Sequence, residues 1–151
     1  MRIYLDVSCL NRPFDDQTQA RIQLEASAVS LILQRIDAPL WSQVSSQMAT
    51  IEIDAMEDPD RRARVRLLLP ESRDTHKLVE TTFDRASELQ SLGFKPADAL
   101  HVAAAEEAGA DILLSCDDRL CCLARRKRTK LNVPVANPLD WLKEIGDAIN
   151  P

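Results

Sequence analysis

Two apolar runs too short to be helices, Ile3-Tyr4-Leu5 and Ile112-Leu113-Leu114, each break off on polar residues: Asp6 in the first case, Ser115-Cys116-Asp117 in the second. An uninterrupted apolar run of this length reads as a strand covered on both faces, the habit of parallel sheets, and the first is predicted over Arg2 to Val7. The chain between them is largely helical in pattern. Ile22, Ala26, Val29, Leu33 and Ile36 recur at three and four residues, predicting a helix from Thr18 to about Ile36. The turn chemistry of Asn11-Arg12-Pro13-Phe14-Asp15-Asp16 precedes that helix, and Asp37-Ala38-Pro39 ends it.

Leu40 to Val44 is a weaker strand candidate, after which Ser45 or Ser46 can cap a helix carrying Met48, Ile51 and Ala55. Asp58-Pro59 opens a short helix through Val65 and Leu68. A longer one after Ser72 or Asp74 turns Leu78, Val79, Thr82, Phe83, Ala86 and Leu89 inward and stops at Gly93. Pro96 begins an alanine-rich helix that Gly109 closes. Asn132-Val133-Pro134-Val135 reads as an edge strand because of its proline, and Asn137-Pro138 begins a final helix with Leu139, Trp141, Leu142 and Ile145. Strands interspersed with helices throughout predict an α/β fold, a three-layer α/β/α sandwich around a mainly parallel sheet, and a single domain over 1–151.

Composition removes several function classes. A net charge of −5 argues against a protein coated in positive charge for nucleic-acid packaging. Three glycines, Gly93, Gly109 and Gly146, build neither a dinucleotide fingerprint nor a P-loop. Cys9, Cys116, Cys121 and Cys122 lack zinc-ligand spacing and read as reduced, partly buried thiols. Aromatic residues form no series on which bases could stack. No run approaches the roughly 20 apolar residues of a membrane span, so a soluble, cytoplasmic chain with no membrane partner is expected.

The carboxylates that interrupt apolar patterns carry the chemistry. Asp6 and Asp117 follow strand-like runs, Asp98 stands in the first turn of the alanine-rich helix, and Glu52 lies within the helix after Ser46. Strand ends of an open parallel sheet are where such folds place their sites. Oxygen ligands in a cluster select Mg²⁺ or Mn²⁺, and crowded carboxylates raise the pKa of at least one member. Each acid also has a plainer reading. Asp6 can cap a turn, Asp98 can complement a helix dipole, Asp54 or Glu57 resembles Glu52, and Asp118 competes with Asp117 as the fourth acid.

Taken in order, these motifs resemble the PIN-domain family of metal-dependent ribonucleases, and within it the VapC-like toxin class. The resemblance is carried by Tyr4-Leu5-Asp6-Val7-Ser8, by Pro96-Ala97-Asp98-Ala99-Leu100-His101-Val102-Ala103-Ala104-Ala105, and by Leu113-Leu114-Ser115-Cys116-Asp117-Asp118. It implies a PIN-like fold with Asp6, Glu52, Asp98 and Asp117 holding Mg²⁺ or Mn²⁺, and with Ser8 and Ser115 as supporting hydroxyls. It further implies hydrolysis of RNA, a role as the toxin of a type II toxin–antitoxin system, a cognate antitoxin that occupies the acidic pocket, and a homodimer. The alternative is a PIN-like protein that has lost catalysis and serves as a binding or scaffolding subunit.

Arg119, Arg125, Arg126, Lys127, Arg128 and Lys130 form the one dense basic segment, close in sequence to Asp117, and are candidates for RNA-backbone contacts. Their plainer reading is a solvated helix end. His101, three residues beyond Asp98, reads first as a packed, hydrogen-bonded histidine and second as an assistant at the site. A haloacid-dehalogenase-like phosphatase needs a second Asp two residues after the first, where Ser8 stands. A receiver domain needs a phosphoacceptor Asp that Leu40 to Ser45 does not supply.

Overall fold

A computed structural model describes residues 1–36 and 39–149. In chain order its elements are β1 (Arg2–Leu5), α1 (Val7–Asn11), α2 (Ala20–Ile36), β2 (Ser42–Ser46), α3 (Gln47–Asp54), α4 (Pro59–Arg66), β3 (Thr75–His76), α5 (Glu80–Ser91), α6 (Pro96–Glu107), β4 (Ile112–Leu114), α7 (Asp118–Arg126), β5 (Val135–Ala136) and α8 (Pro138–Ile149). The five strands form one sheet in the order β3-β2-β1-β4-β5, every neighbouring pair parallel. Ile3 pairs with Gln43 on one side and Ile112 on the other, so β1 occupies the centre. The chain builds outward from β1 in both directions, which opens a crevice beyond the carboxyl end of that strand.

Side-chain alternation along the strands divides the core in two. Ile3, Leu5, Ile112 and Leu114 face one way, packing with Val29 and Ile32 of α2, Ile53 of α3, Val65 of α4 and Trp141 of α8. Tyr4, Val44 and Leu113 face the other way, against Ala86 and Leu89 of α5, Val102 and Ala103 of α6, and Leu120 and Ala124 of α7. Each fully buried Leu, Ile or Val contributes roughly 1.5–3 kcal/mol relative to exposure. The run Ala103-Ala104-Ala105 is wholly buried, letting the α6 backbone approach the sheet closely. Gly93 and Gly109 take positive φ, as expected of helix stops. No helix among the described residues is long and apolar enough to cross a membrane.

Several sequence expectations are displaced, each for a local reason. β1 ends at Leu5 because the Asp6 side chain accepts the N–H of Cys9 and starts α1, so Val7 is helical. The second strand sits later than Leu40 to Val44, at Ser42–Ser46; Leu40 is exposed and Trp41 packs at a tilt against Trp141 with ring centroids 5.2 Å apart. In α3 the inward residues are Ala49 and Ile53, whereas Ile51 faces solvent. The stretch expected to begin the fifth helix holds β3 instead, and α5 starts only at Glu80. Val79 and Phe83 stay about half exposed while Thr82, Ala86 and Leu89 face the core. The last strand pairs at Val135–Ala136, with the Pro134 carbonyl accepting from Leu113 N at the sheet edge. Asp37 and Ala38, read as part of the α2 stop, lie outside the described residues.

Candidate functional site

The carboxyl ends of β1 and β4 are stitched to each other by hydroxyls. Asp6, buried directly after β1, accepts Cys9 N–H at 3.1 Å and the Ser8 hydroxyl at 2.5 Å through its Oδ1. Ser8 Oγ in turn accepts the N–H of Cys116 at 2.9 Å and lies 3.3 Å from Ser115 Oγ, which accepts Asp117 N–H at 3.0 Å. Ser8 and Ser115 thus hold together two turns more than 100 positions apart in sequence, bringing Asp6 and Asp117 to one end of the sheet. Asp117 caps α7, its Oδ1 accepting from Arg119 N at 2.9 Å and Leu120 N at 3.3 Å. Below this seam, Cys9 and Cys116 place their sulfurs 3.8 Å apart as free thiols, and Cys121 is also buried and free.

Asp98 enters from the other layer, in the first turn of α6, and Glu52 from α3. Glu52 Oε1 accepts from His101 Nε2 at 2.8 Å, and His101 Nδ1 lies 2.6 Å from the hydroxyl of Tyr4, itself 2.7 Å from Ser46 Oγ. His101 is therefore the packed, hydrogen-bonded residue of the first sequence reading, and one of its partners is the candidate acid Glu52. Among nearby acids, Asp54 pairs with Arg66 and Glu57 is exposed, which leaves Glu52 as the member of that stretch turned toward α6.

Electrostatics record the crowding. Burial raises the Asp6 carboxyl above its ordinary range, opposed by His101 and by hydrogen bonds from Ser115, Ser8 and Cys9. Asp98 is raised by burial first and then by the negative charges of Asp117 and Asp6, with Glu52 adding a smaller push and His101 opposing. At His101, desolvation acts to lower the imidazole pKa, but the hydrogen bond and charge of Glu52 and the charges of Asp6 and Asp98 outweigh it. Tyr4, wholly buried, is pushed far upward and keeps its proton.

Asp118 is a different case. It is exposed, held by Arg21 of α2 with Nη1 to Oδ2 at 2.7 Å, and lowered by that hydrogen bond. Of Asp117 and Asp118, it is the charge of Asp117 that stands among the main influences on Asp98. The basic segment also divides. Arg119 follows Asp117 immediately in α7, but Arg125, Arg126, Lys127 and Arg128 lie at the far end of that helix, roughly 12 Å along its axis. The Lys130 carbonyl accepts from Arg85, which pairs with Glu106 at the opposite end of α6 from Asp98. Nearness in sequence is thus undone by the helix axis: only Arg119 stands at the acid end.

Among the described residues, none of Asp6, Asp98 and Asp117 pairs with a lysine or arginine. Also among them, no three Asp, Glu, His or Cys groups stand close enough to form a ready cation cage. The chemistry of the donor set nevertheless fits a hard divalent ion that keeps part of its water shell: a buried Asp6 and partly buried Asp98 and Asp117, with no lysine or arginine partner among the described residues, are costly unless a cation offsets them. Sequence reasoning missed the contribution of Tyr4 and Ser46. A tyrosine inside a buried strand demands a partner for its hydroxyl, and that was the available signal.

A family model described as PIN domain matches residues 3–126. By structure the chain is similar to VapBC-1 from nontypeable Haemophilus influenzae, with a TM-score of 0.54, 14% identity and coverage of 91% of this chain and 98% of that one. It is also similar to VapBC2 from Rickettsia felis, solved bound to a DNA fragment from their promoter, with a TM-score of 0.55, 10% identity and the same coverages. A comparison with curated protein sequences finds no match.

Proposed function

This chain belongs to the PIN-domain family, and we propose that it is a divalent-metal-dependent endoribonuclease whose Asp6, Glu52, Asp98 and Asp117 hold Mg²⁺ or Mn²⁺ beside an RNA phosphodiester. One observation supports the reading: the Asp98 carboxyl feels the charges of Asp117, Asp6 and Glu52, acids from distant parts of the chain, and Asp6, Asp98 and Asp117 have no lysine or arginine partner among the described residues. When bound there, a divalent ion polarises the phosphate and lowers the pKa of an attacking water.

The chain's own residues do the rest. Ser8 fixes the Asp6 carboxylate by a hydrogen bond, and Ser115 supports Ser8 from 3.3 Å. Asp117 spends Oδ1 on the α7 cap, which leaves Oδ2 without a hydrogen bond among the described residues. Asp98, raised by burial and by the charges of Asp117 and Asp6, is the acid whose charge a bound cation would most favour. Arg119, at the acid end, meets the RNA backbone, with Arg125, Arg126, Lys127 and Arg128 as a more remote basic surface.

The sequence motifs and the similarity in fold to VapBC structures support a place in the VapC-like class. In that reading the chain is a single-domain, cytoplasmic toxin of a type II pair, homodimeric, and silenced by an antitoxin. The test is incubation of purified protein with generic single-stranded RNA and Mg²⁺ or Mn²⁺ beside Asp6→Asn and Asp98→Asn variants. Metal-dependent cleavage present in wild type and lost in both variants is expected. Equal residual activity in all three would point to the non-catalytic binding role. Growth arrest on induction, relieved by the product of a neighbouring reading frame, would identify the toxin pair.

A further inference from the structure

The hydrogen bonds beneath Glu52 close on themselves. Ser46 Oγ accepts the N–H of Met48 and so caps α3, the helix that carries Glu52; Glu52 is bonded to His101 of α6, His101 to Tyr4 of β1, and Tyr4 back to Ser46. Tyr4, Ser46 and His101 are all buried, so each bond is protected from competing water. From this circuit we infer that Tyr4 and His101 are positioning residues that hold the Glu52 carboxylate toward the other acids and thereby set divalent-cation affinity. The inference rests on the metal-site reading above and deepens it.

Proton placement around the circuit follows from the partners. A bare Nε2 lone pair cannot face the Glu52 carboxylate, so Nε2 carries hydrogen. When His101 is neutral, Nδ1 is an acceptor, which the Tyr4 hydroxyl fills. With its proton committed there, the Tyr4 oxygen accepts from Ser46, whose own oxygen already receives Met48 N–H. Every donor points one way, from Ser46 through Tyr4 and His101 to Glu52. Removing the Tyr4 hydroxyl leaves Nδ1 without a donor and frees the tautomer that Glu52 needs.

Glu52 has particular need of such a device. Asp6 and Asp117 are short side chains pinned at strand ends by backbone N–H groups. Glu52 is longer, its side chain is 31% exposed, and its only protein hydrogen bond among the described residues comes from His101. Without that bond the carboxylate swings into solvent. Partners of this kind behind a metal ligand set its orientation and basicity.

The experiment is calorimetric titration of the metal-free protein with Mn²⁺, without RNA, with folding of each variant checked by circular dichroism and melting. His101→Leu and Tyr4→Phe are expected to weaken Mn²⁺ binding by about 10- to 100-fold, the range seen when such supporting partners are lost. His101→Gln, which keeps an N–H toward Glu52, should recover most of the loss. In a Glu52→Gln background the His101→Leu effect should vanish, which a general loss of packing would not produce. Should His101→Leu fail to fold, Tyr4→Phe carries the same test. Asp98→Asn separates the two ideas. If it binds Mn²⁺ as wild type does, or wild type binds none, the metal-site reading falls. If Asp98→Asn loses binding while folded His101→Leu or Tyr4→Phe keeps wild-type affinity, the positioning role alone is overturned.

Discussion

At the amino ends of the strands, Glu106 is gripped by Arg85 through two bonds of 2.8 and 3.1 Å and by Asn132 N–H at 2.9 Å, while Asp111 takes the N–H of Arg2 at 2.7 Å. At the carboxyl ends, Asp6, Asp98 and Asp117 have hydroxyls and backbone N–H groups for company, none of them pairs with a lysine or arginine among the described residues, and His101 is the positive influence on Asp6 and Asp98. One sheet thus carries two populations of acids. Those with arginine and backbone partners hold layers together; those without are kept in an arrangement that the folded chain alone disfavours, as functional sites often are.

The largest way to break this contrast is to neutralise the crowded acids. Asp6→Asn and Asp98→Asn should reduce metal-dependent RNA cleavage to background in a gel assay, and Asp98→Asn should stabilise the metal-free protein by about 1 kcal/mol in denaturant melts, since it removes a like charge. A destabilised Asp98→Asn would mean that its carboxylate has a structural partner after all. At the other end, Arg85→Ala should cost about 2 kcal/mol, because it strips charge-assisted bonds from nearly buried Glu106. Cleavage per folded molecule should not change.

A pH series sharpens the same comparison. Asp6 and Asp98 have raised folded-state pKa values, so the folded protein holds more protons than the unfolded chain between the ordinary carboxylate range and those raised values. The stability they contribute is therefore greatest at acid pH and is lost as the pH rises through that window. Melts of metal-free protein should show this decline, and Mg²⁺ should reverse it at neutral pH but not in acid, where protons occupy the site. Smallest of all is the effect of the cations. Arg119→Glu should weaken RNA binding a few-fold and lower its salt slope by about 1, while the double variant Arg125→Glu with Arg128→Glu leaves the slope nearly unaltered. The reverse order would move the RNA path to the far end of α7.

The sequence made the strand-end acids legible because chemistry interrupts pattern there: Ile3-Tyr4-Leu5 and Ile112-Leu113-Leu114 are apolar until Asp6 and Ser115 break them. Pro96 and Gly109 bracketed α6 in the same way, fixing Asp98 in its first turn. Glu52 was harder to choose, since Asp54 and Glu57 share its local context and only contacts with Arg66 and His101 separate them. The two-residue β3 has too few positions to show any period, so the approach to α5 looked helical. The basic run was misleading for a geometric reason, because sequence distance along a helix is axial distance, and α7 leads away from the acids. Val7 and Leu40 show the ordinary failing of strand boundaries, where a cap or an exposed edge overrides residue preference.

The central position of β1 makes one of its seams late to form during synthesis. Its flanks are filled by β2 on one side and by β4 on the other, and the bonds across that second seam join Ser8 to Cys116, more than 100 positions later. A ribosome must release the chain past Asp117 before the turn after β4 can settle beside the turn after β1.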